Sequence, residues 1–232
     1  MVGQLSRSSE HHEVVYPWQG GAITLRTSSG SVRVEIGTSA QVQVSYTEHF
    51  QLKRPTVTSS VSTSGLQLTA KCPAGVFGNN CDINYVVTVP ATANLVVHSG
   101  DGAIHVIGGS GAGSFDTGDG DISFDSVSGD IVARSGDGTI SGDGVRSKSV
   151  QASTGDGGVH IDWSVAPSTV VATTGDGGIG LVVPPGTGPY RISSHTGDGG
   201  VHVTVPTDPA ATATITAESG DGGIDIGVAP AS

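Results

Sequence analysis

The amino-acid sequence predicts an all-β protein built as a β-solenoid, with roughly one coil for every 18–23 residues and an irregular β cap at its N-terminal end. Three observations lead to this fold class. An aspartate between glycines recurs along the second half of the chain, alternating apolar residues follow each copy, and prolines separate many of the strands. Strict alternation of apolar and polar residues is typical of a strand with one buried face.

The composition supports strands and turns and disfavours several other classes. The 37 glycines lack the three-residue period of collagen. The regularly recurring Val and Ile positions argue against simple disorder. The formal net charge of −11 disfavours nucleic acid and anionic membranes as partners, since both would repel the chain. No apolar run approaches the roughly 18 residues that a membrane span needs.

Residues 1–13 are polar and are predicted to form a flexible N-terminal segment. The first twenty residues lack the apolar stretch of a signal peptide. Two locations therefore stay open: the cytoplasm, or the cell surface or exterior if a leader or membrane anchor is missing from this chain. The stretch "EHHE" at 10–13 could bind a metal adventitiously. A flexible polar segment explains it more simply, and no specific metal site is predicted.

Residues 14–98 are predicted to be irregular β coils that cap the solenoid. The stretches "RTSSGSVRVEI" and "STSGLQLTA" look like repeats without the aspartate. We expect "ITLRTSSGSVRVEI" (23–36) to cover one end of the solenoid. The other end, "GIDIGVAPAS" (223–232), would present open strand edges, which favours end-to-end self-association.

The only two cysteines, Cys72 and Cys81, lie in "KCPAGVFGNNC". An even count, a close spacing and the lack of further metal-ligating residues nearby favour a disulfide over two free thiols. Disulfides persist in oxidising compartments, so the pair favours export of the protein.

Residues 99–232 are predicted to form the regular array. Apolar pairs such as Val159 and Ile161 follow each turn, and pairs such as Val170 and Ala172 precede the next one. Each pair places two side chains on one strand face, which a single coil cannot bury, so the coils must stack. Prolines mark the corners of several coils: Pro90, Pro167, Pro184, Pro206 and Pro230. The aspartates that mark the turns are Asp101, Asp119, Asp137, Asp156, Asp176, Asp198 and Asp221.

The Gly-Asp-Gly motif has two explanations. As a turn, glycine supplies a positive φ and aspartate accepts hydrogen bonds from backbone N–H groups nearby. As a row of ligands, the seven aspartates would lie about 4.8 Å apart. They would then repel by roughly 0.9 kcal/mol per adjacent pair even in water, and bound Ca²⁺ would relieve the repulsion. The turn explanation needs no cofactor, and calcium is the cofactor of the alternative.

The V-P corner, the S/T-G-D-G turns about 20 residues apart and the upstream cysteine pair resemble the bacterial putative-adhesin family of domain-of-unknown-function proteins. The resemblance covers roughly residues 20–232. It implies a right-handed β-helix that is usually exported and often stands behind a membrane anchor.

The residues do not form a recognisable catalytic constellation. There is no Gly-x-Ser-x-Gly elbow. His105, His160 and His202 are predicted to point outward from coils that are not neighbours, so they cannot share one ion.

The sequence therefore predicts a non-catalytic, surface-exposed adhesin or envelope-interaction protein. It would act by multivalent contacts along a rigid acidic rod, led by the aspartate turns, with a cell-surface, glycan or envelope partner. Two alternatives remain: a calcium-dependent extracellular binding module, and a polysaccharide-active enzyme on the same scaffold.

Overall fold

The computed structural model describes residues 7–73 and 81–230, and these residues form 21 β-strands in two sheets without any helix. The all-β prediction is therefore confirmed. Among these residues, no helix is available that could cross a membrane. The strands are β1 (Ser8–Pro17), β2 (Ala22–Thr27), β3 (Val32–Gly37), β4 (Gln41–Phe50), β5 (Thr56–Ser62), β6 (Gly65–Lys71), β7 (Asp82–Pro90), β8 (Asn94–Ser99), β9 (Ile104–Ile107), β10 (Gly113–Thr117), β11 (Ile122–Asp125), β12 (Ile131–Ser135), β13 (Ile140–Val145), β14 (Ser149–Thr154), β15 (Val159–Trp163), β16 (Thr169–Thr174), β17 (Ile179–Val183), β18 (Arg191–Thr196), β19 (Val201–Val203), β20 (Thr214–Ser219) and β21 (Ile224–Val228).

From β6 onward the chain alternates between the two sheets, so each repeat contributes one strand to each sheet. The eleven-stranded sheet has the order β1-β4-β7-β3-β9-β11-β13-β15-β17-β21-β19. The ten-stranded sheet, read from the same end, has the order β5-β6-β2-β8-β10-β12-β14-β16-β20-β18. Neighbouring strands are parallel except in the pairs β1–β4, β4–β7 and β5–β6.

The core is one apolar cluster built from the inner faces of both sheets. The predicted apolar pairs supply it: Val159 and Ile161 are 0% and 2% exposed, and Val170 and Ala172 are 1% and 0% exposed. The pair on β19 is different, because β19 is the last strand of its sheet and Val201 is 45% exposed. Alternation in the sequence thus identifies the inward face of these strands. The position of a strand in the stack determines how well its inward face is covered.

The stretch 23–36 does not cover an end of the stack, contrary to the sequence prediction. Its strands lie inside: β2 pairs with both β6 and β8, and β3 pairs with both β7 and β9. The strands at this end are β1 and β5. Residues 8–13, which belong to the polar N-terminal segment, form the first half of β1. All ten residues of β1 lie opposite residues of β4 in an antiparallel register, and this pairing holds residues 8–13 on the sheet.

The last two repeats stack in the reverse of their order along the chain. The strands β20 and β21 lie between β16–β17 and β18–β19, so among the described residues the final strand edges belong to β18 and β19 and not to β21 as the sequence predicted. The register gives a physical reason. Ala217 of β20 continues the buried column of Ala172, whereas β18 has Ser194 at the equivalent position. A polar side chain costs less at the end of the stack, where Ser194 is only half-buried.

Cys72 and Cys81 form a disulfide with a Cα–Cα distance of 5.8 Å, as predicted. The bond joins the residue after β6 to the residue before β7. It therefore links the two sheets near the β1–β5 end of the stack.

Candidate functional site

The seven predicted aspartates occupy equivalent turns along one side of the stack. Each turn leaves a strand of the ten-stranded sheet and enters a strand of the eleven-stranded sheet. All seven aspartates are exposed. Their spatial order differs from their order in the sequence, because Asp221 lies between Asp176 and Asp198. We call this row the aspartate column, which in spatial order consists of Asp101, Asp119, Asp137, Asp156, Asp176, Asp221 and Asp198.

Hydrogen bonds between successive turns hold the aspartate column in register. The Gly136 N–H donates to the Gly118 carbonyl at 2.6 Å, and the Gly155 N–H donates to the Gly136 carbonyl at 2.6 Å. Buried hydroxyl groups add a second ladder, in which Thr154 Oγ1 donates to the Gly138 carbonyl of the previous turn at 2.8 Å. The turns are thus tied to one another by backbone and hydroxyl groups.

The glycines serve close packing and not a positive φ, which corrects the sequence expectation. None of the glycines that flank the seven aspartates has a positive φ. A Cβ atom at Gly138 would lie 2.0 Å from the Gly120 carbonyl oxygen, and a Cβ at Gly222 would lie 2.0 Å from that of Gly177. Stacked turns approach so closely that only a residue without a side chain fits there.

The aspartate carboxylates do not close these turns. Within residues 7–73 and 81–230, no hydrogen bond to the side chain of any of the seven is found, whereas Ser and Thr hydroxyls accept from the turn N–H groups. The Gly138 N–H, for example, donates to Ser135 Oγ at 3.0 Å. The column therefore presents exposed carboxylates that repeat at the strand spacing of about 4.8 Å.

A second repeated surface lies on the outer face of the eleven-stranded sheet. A shallow depression of about 400 Å³ runs from His105 past Ser123 and Ser141 to His160. The small residues Ser123, Ser141 and Gly142 line it, and β13 has a bulge between Gly142 and Val145. His105, His160 and His202 point outward as predicted, and in the described part of the chain they join no group of three metal-ligating side chains.

The outer face of the ten-stranded sheet carries a mixed column of polar and charged side chains. His98 lies opposite Asp116, with His98 Nδ1 2.7 Å from Asp116 Oδ1, and Arg134 follows on the next strand. Acidic, basic and neutral residues alternate there, so this face has no charge of a single sign. The aspartate column, in contrast, carries charges of one sign only.

A cluster that the sequence analysis missed lies at the β1–β5 end of the stack. Glu48 is 4% exposed and accepts a hydrogen bond from Arg54 Nε at 2.8 Å. Arg54 Nη2 donates to Glu10 and lies 3.4 Å from His12 Nε2. The alternation of β4 could have revealed Glu48, because it is in phase with the buried Val42 and Val44.

Tyrosines extend this cluster toward the core. The His12 ring stacks on Tyr46 with centroids 4.8 Å apart, and Tyr46 lies 5.4 Å from Tyr85. Burial raises the pKa of Tyr85, and the nearby negative charge of Glu48 raises that pKa further. The Tyr85 hydroxyl is buried and has no hydrogen-bond partner in the described part of the chain.

The fold and its turn columns define a class of protein: all-β repeat proteins that lay one strand of each repeat in each of two sheets. Within this class, the family model Toastrack DUF4097 matches residues 20–230, and the chain belongs to that family. The resemblance to a putative-adhesin family of domain-of-unknown-function proteins is thereby confirmed. No curated protein matches the sequence.

Three solved structures are similar to the chain at low identity. A putative cell adhesion protein from Clostridium sporogenes is 15% identical with a TM-score of 0.41, and the match covers 97% of this chain and 100% of that chain. A putative adhesin from Bacteroides fragilis is 13% identical with a TM-score of 0.48, covering 93% and 96%. A putative lipid binding protein from Parabacteroides distasonis is 9% identical with a TM-score of 0.47, covering 96% and 97%.

Proposed function

We propose that the chain is a right-handed β-solenoid that acts as a non-catalytic, surface-displayed binding rod for a cell-surface, glycan or envelope partner. One observation carries the proposal: parallel register brings seven exposed aspartates into a single column. The hand of the coil is supported by a general rule, because crossovers between parallel strands of one sheet are right-handed in about 98% of cases.

Binding by such a rod would be multivalent. Seven turns at about 4.8 Å span roughly 30 Å, so a repetitive partner could contact several carboxylates at once. Contacts that are weak one by one then gain strength through effective concentration. The net charge of −11 favours partners with cationic groups or with bound cations.

Binding to purified bacterial cell-envelope fragments and to a glycan array tests the proposal. We expect the triple variant D137N/D156N/D176N to bind at least about tenfold more weakly, and D156N alone to lose only about twofold. The matched control, D125N/D143N/D162N, removes the same charge from the depression on the outer face of the eleven-stranded sheet. Equal losses in both triple variants, or no binding by the unmodified chain to either probe, would refute the proposal.

Location at the cell surface is supported by the Cys72–Cys81 disulfide, since such bonds persist outside the reducing cytoplasm. Alkylation of free thiols in intact producing cells, followed by mass spectrometry, tests this part. Two alkylated cysteines would favour the cytoplasmic alternative.

A calcium-dependent binding module is the second candidate. It is favoured by the carboxylates of the aspartate column, for which no hydrogen-bond donor is found among the described residues. Calcium takes six to eight oxygen ligands, and the turns offer carboxylates and carbonyl groups. Thermal unfolding with CaCl₂, MgCl₂ or EDTA at low and high salt separates the candidates. A calcium-specific rise in midpoint of about 5 °C or more would support a ligand row. An equal response to any salt would indicate screened repulsion alone.

We also infer that a second copy of the chain docks on the β18–β19 end. Val201 is 45% exposed there, whereas Ile224, its partner in register, is 2% exposed. The apolar column that contains Ile224 thus ends at Val201 on the edge strand β19, which presents unpaired backbone groups. Sedimentation velocity should show dimers that V201K abolishes. The control V165K changes another valine of similar exposure, 43%, and should leave the dimers intact.

A further inference from the structure

We propose that Glu10, His12 and Glu48 form a binding site for one divalent transition-metal ion, for which Zn²⁺ is the best fit. Their ligand atoms all lie within 4.8 Å of one another. The site goes beyond the proposed function, because it lies at the β1–β5 end of the stack and shares no residue with the aspartate column.

The register of two antiparallel strands assembles the three ligands. Glu10 and His12 are two residues apart on β1, so their side chains share one face. Glu48 of β4 lies directly opposite Glu10, where cross-strand side chains are close enough to interact. His11 and Glu13 lie on the opposite face of β1 and pair with each other at 3.4 Å. Only half of the "EHHE" stretch therefore belongs to the site.

The cationic side chain of Arg54 contacts all three proposed ligands. A guanidinium can only donate hydrogen bonds. Arg54 donates to Glu10 and Glu48, and its Nη2 lies 3.4 Å from His12 Nε2. A neutral imidazole and two carboxylate oxygens are the forms in which these side chains bind metals. One arginine also leaves one of the two carboxylate charges uncompensated.

A second observation points to the same place. The Tyr85 hydroxyl, on a residue that is only 2% exposed, has no partner in the described part of the chain. Tyr85 packs beside Tyr46 with ring centroids 5.4 Å apart, and the His12 ring stacks on Tyr46 at 4.8 Å. An unpaired buried hydroxyl group therefore belongs to the same row of stacked rings as His12.

The distances require only small movements. Tetrahedral Zn²⁺ with bonds of about 2.0–2.1 Å holds its ligand atoms about 3.3 Å apart. His12 Nε2 lies 3.9 Å from the carboxylate oxygens of Glu10 and Glu48, and all three ligand atoms lie within 4.8 Å of one another. The ligand atoms must therefore approach by about 0.6 Å for His12 and by at most about 1.5 Å between the two carboxylates. The metal ion would displace Arg54, whose side chain is 50% exposed and can move into solvent. An imidazole ligand favours Zn²⁺ over the harder Ca²⁺ and Mg²⁺.

Calorimetric titration of the full chain with ZnCl₂ tests the proposal, with CaCl₂ and MgCl₂ as comparators. We expect one Zn²⁺ per chain, and binding weakened at least about tenfold by H12A but not by H11A, which removes the neighbouring histidine on the other face. R54Q should bind Zn²⁺ more tightly, because it removes the competing cation. The control K53Q removes the adjacent positive charge, for which no contact with the three ligands is found among the described residues, and should change little.

Circular dichroism and the metal-free unfolding midpoint show whether each variant folds. If H12A does not fold, the comparison of Zn²⁺ binding by R54Q and by K53Q still tests the proposal. Equal losses in H11A and H12A would mean adventitious binding by a histidine pair. Absence of stoichiometric Zn²⁺ in both the unmodified chain and R54Q would overturn the proposal.

Discussion

A substitution pair within one turn tests whether close packing explains the glycines. Gly222 and Gly223 are adjacent, and neither has a positive φ. A Cβ atom at Gly222 would lie 2.0 Å from the Gly177 carbonyl oxygen and 2.4 Å from its carbon. A Cβ at Gly223 would meet only the Gly200 carbonyl oxygen, at 3.6 Å. Alanine should therefore be harmful at Gly222 and tolerated at Gly223.

The expected cost of G222A follows from the hydrogen bonds between the two turns. Ordinary contact begins near 3.4 Å, so the turns must separate by about 1.4 Å. That separation breaks the bond from Ser219 Oγ to the Gly177 carbonyl, at 2.9 Å, and the bond from the Gly220 N–H to the Gly175 carbonyl, at 2.7 Å. With about 1 kcal/mol for each bond and a further contribution from strain, we expect a loss of about 2–3 kcal/mol.

Thermal and urea unfolding, followed by circular dichroism, measure this difference. For a chain of this size, 2–3 kcal/mol corresponds to a midpoint lower by about 4–12 °C in G222A. G223A should stay within about 0.5 kcal/mol of the unmodified chain. Equal destabilisation by both substitutions would refute the packing argument and return the glycines to a role in backbone conformation.

Three further predictions concern the Cys72–Cys81 disulfide, the buried Tyr85 and the hydroxyl group of Thr154. C72S/C81S should lower the free energy of unfolding by about 2–3 kcal/mol, because the bond closes a loop of nine residues in separation; a reductant should reproduce the loss in the unmodified chain only. The folded-state pKa of Tyr85 is raised, so its contribution to stability is present below about pH 10 and is lost as the pH rises further. Y85F should flatten that alkaline loss in pH-dependent unfolding and cost little at pH 7, since the hydroxyl has no partner among the described residues. T154V should cost about 1 kcal/mol by removing the 2.8 Å hydrogen bond to the previous turn, whereas S153A on the exposed face should be neutral in the same assay.

Local alternation is a good guide to strand faces and a poor guide to neighbours. Ile131 and Ala133 could be assigned to the core from spacing alone, and they are 2% and 1% exposed. The same phase places Glu48 on the inner face of β4. Its pairing with Arg54 could not be predicted, because the chain has to leave β4 and turn back before the guanidinium reaches the carboxylate.

For the turn motif too, the sequence predicts one part and the tertiary structure decides another. The sequence identifies which residues form the turns and predicts correctly that all seven aspartates repeat at equivalent places. The role of each residue type within the turn could not be predicted, because it depends on how closely one coil approaches the next. Ser135 and Thr154 cap and link the turns, the glycines allow the close approach, and the carboxylates stay outside.

The sequence by itself determined the all-β class, the inward face of most repeat strands and the disulfide, because these depend on residues that are close along the chain. Only the tertiary structure decided the order of the coils. Parallel strands pair through register and side-chain fit, and long connections cost little additional entropy. The β20–β21 repeat could therefore insert ahead of β18–β19, and β2–β3 could enter between later strands. This order also decided which edges stay open and which carboxylates are neighbours.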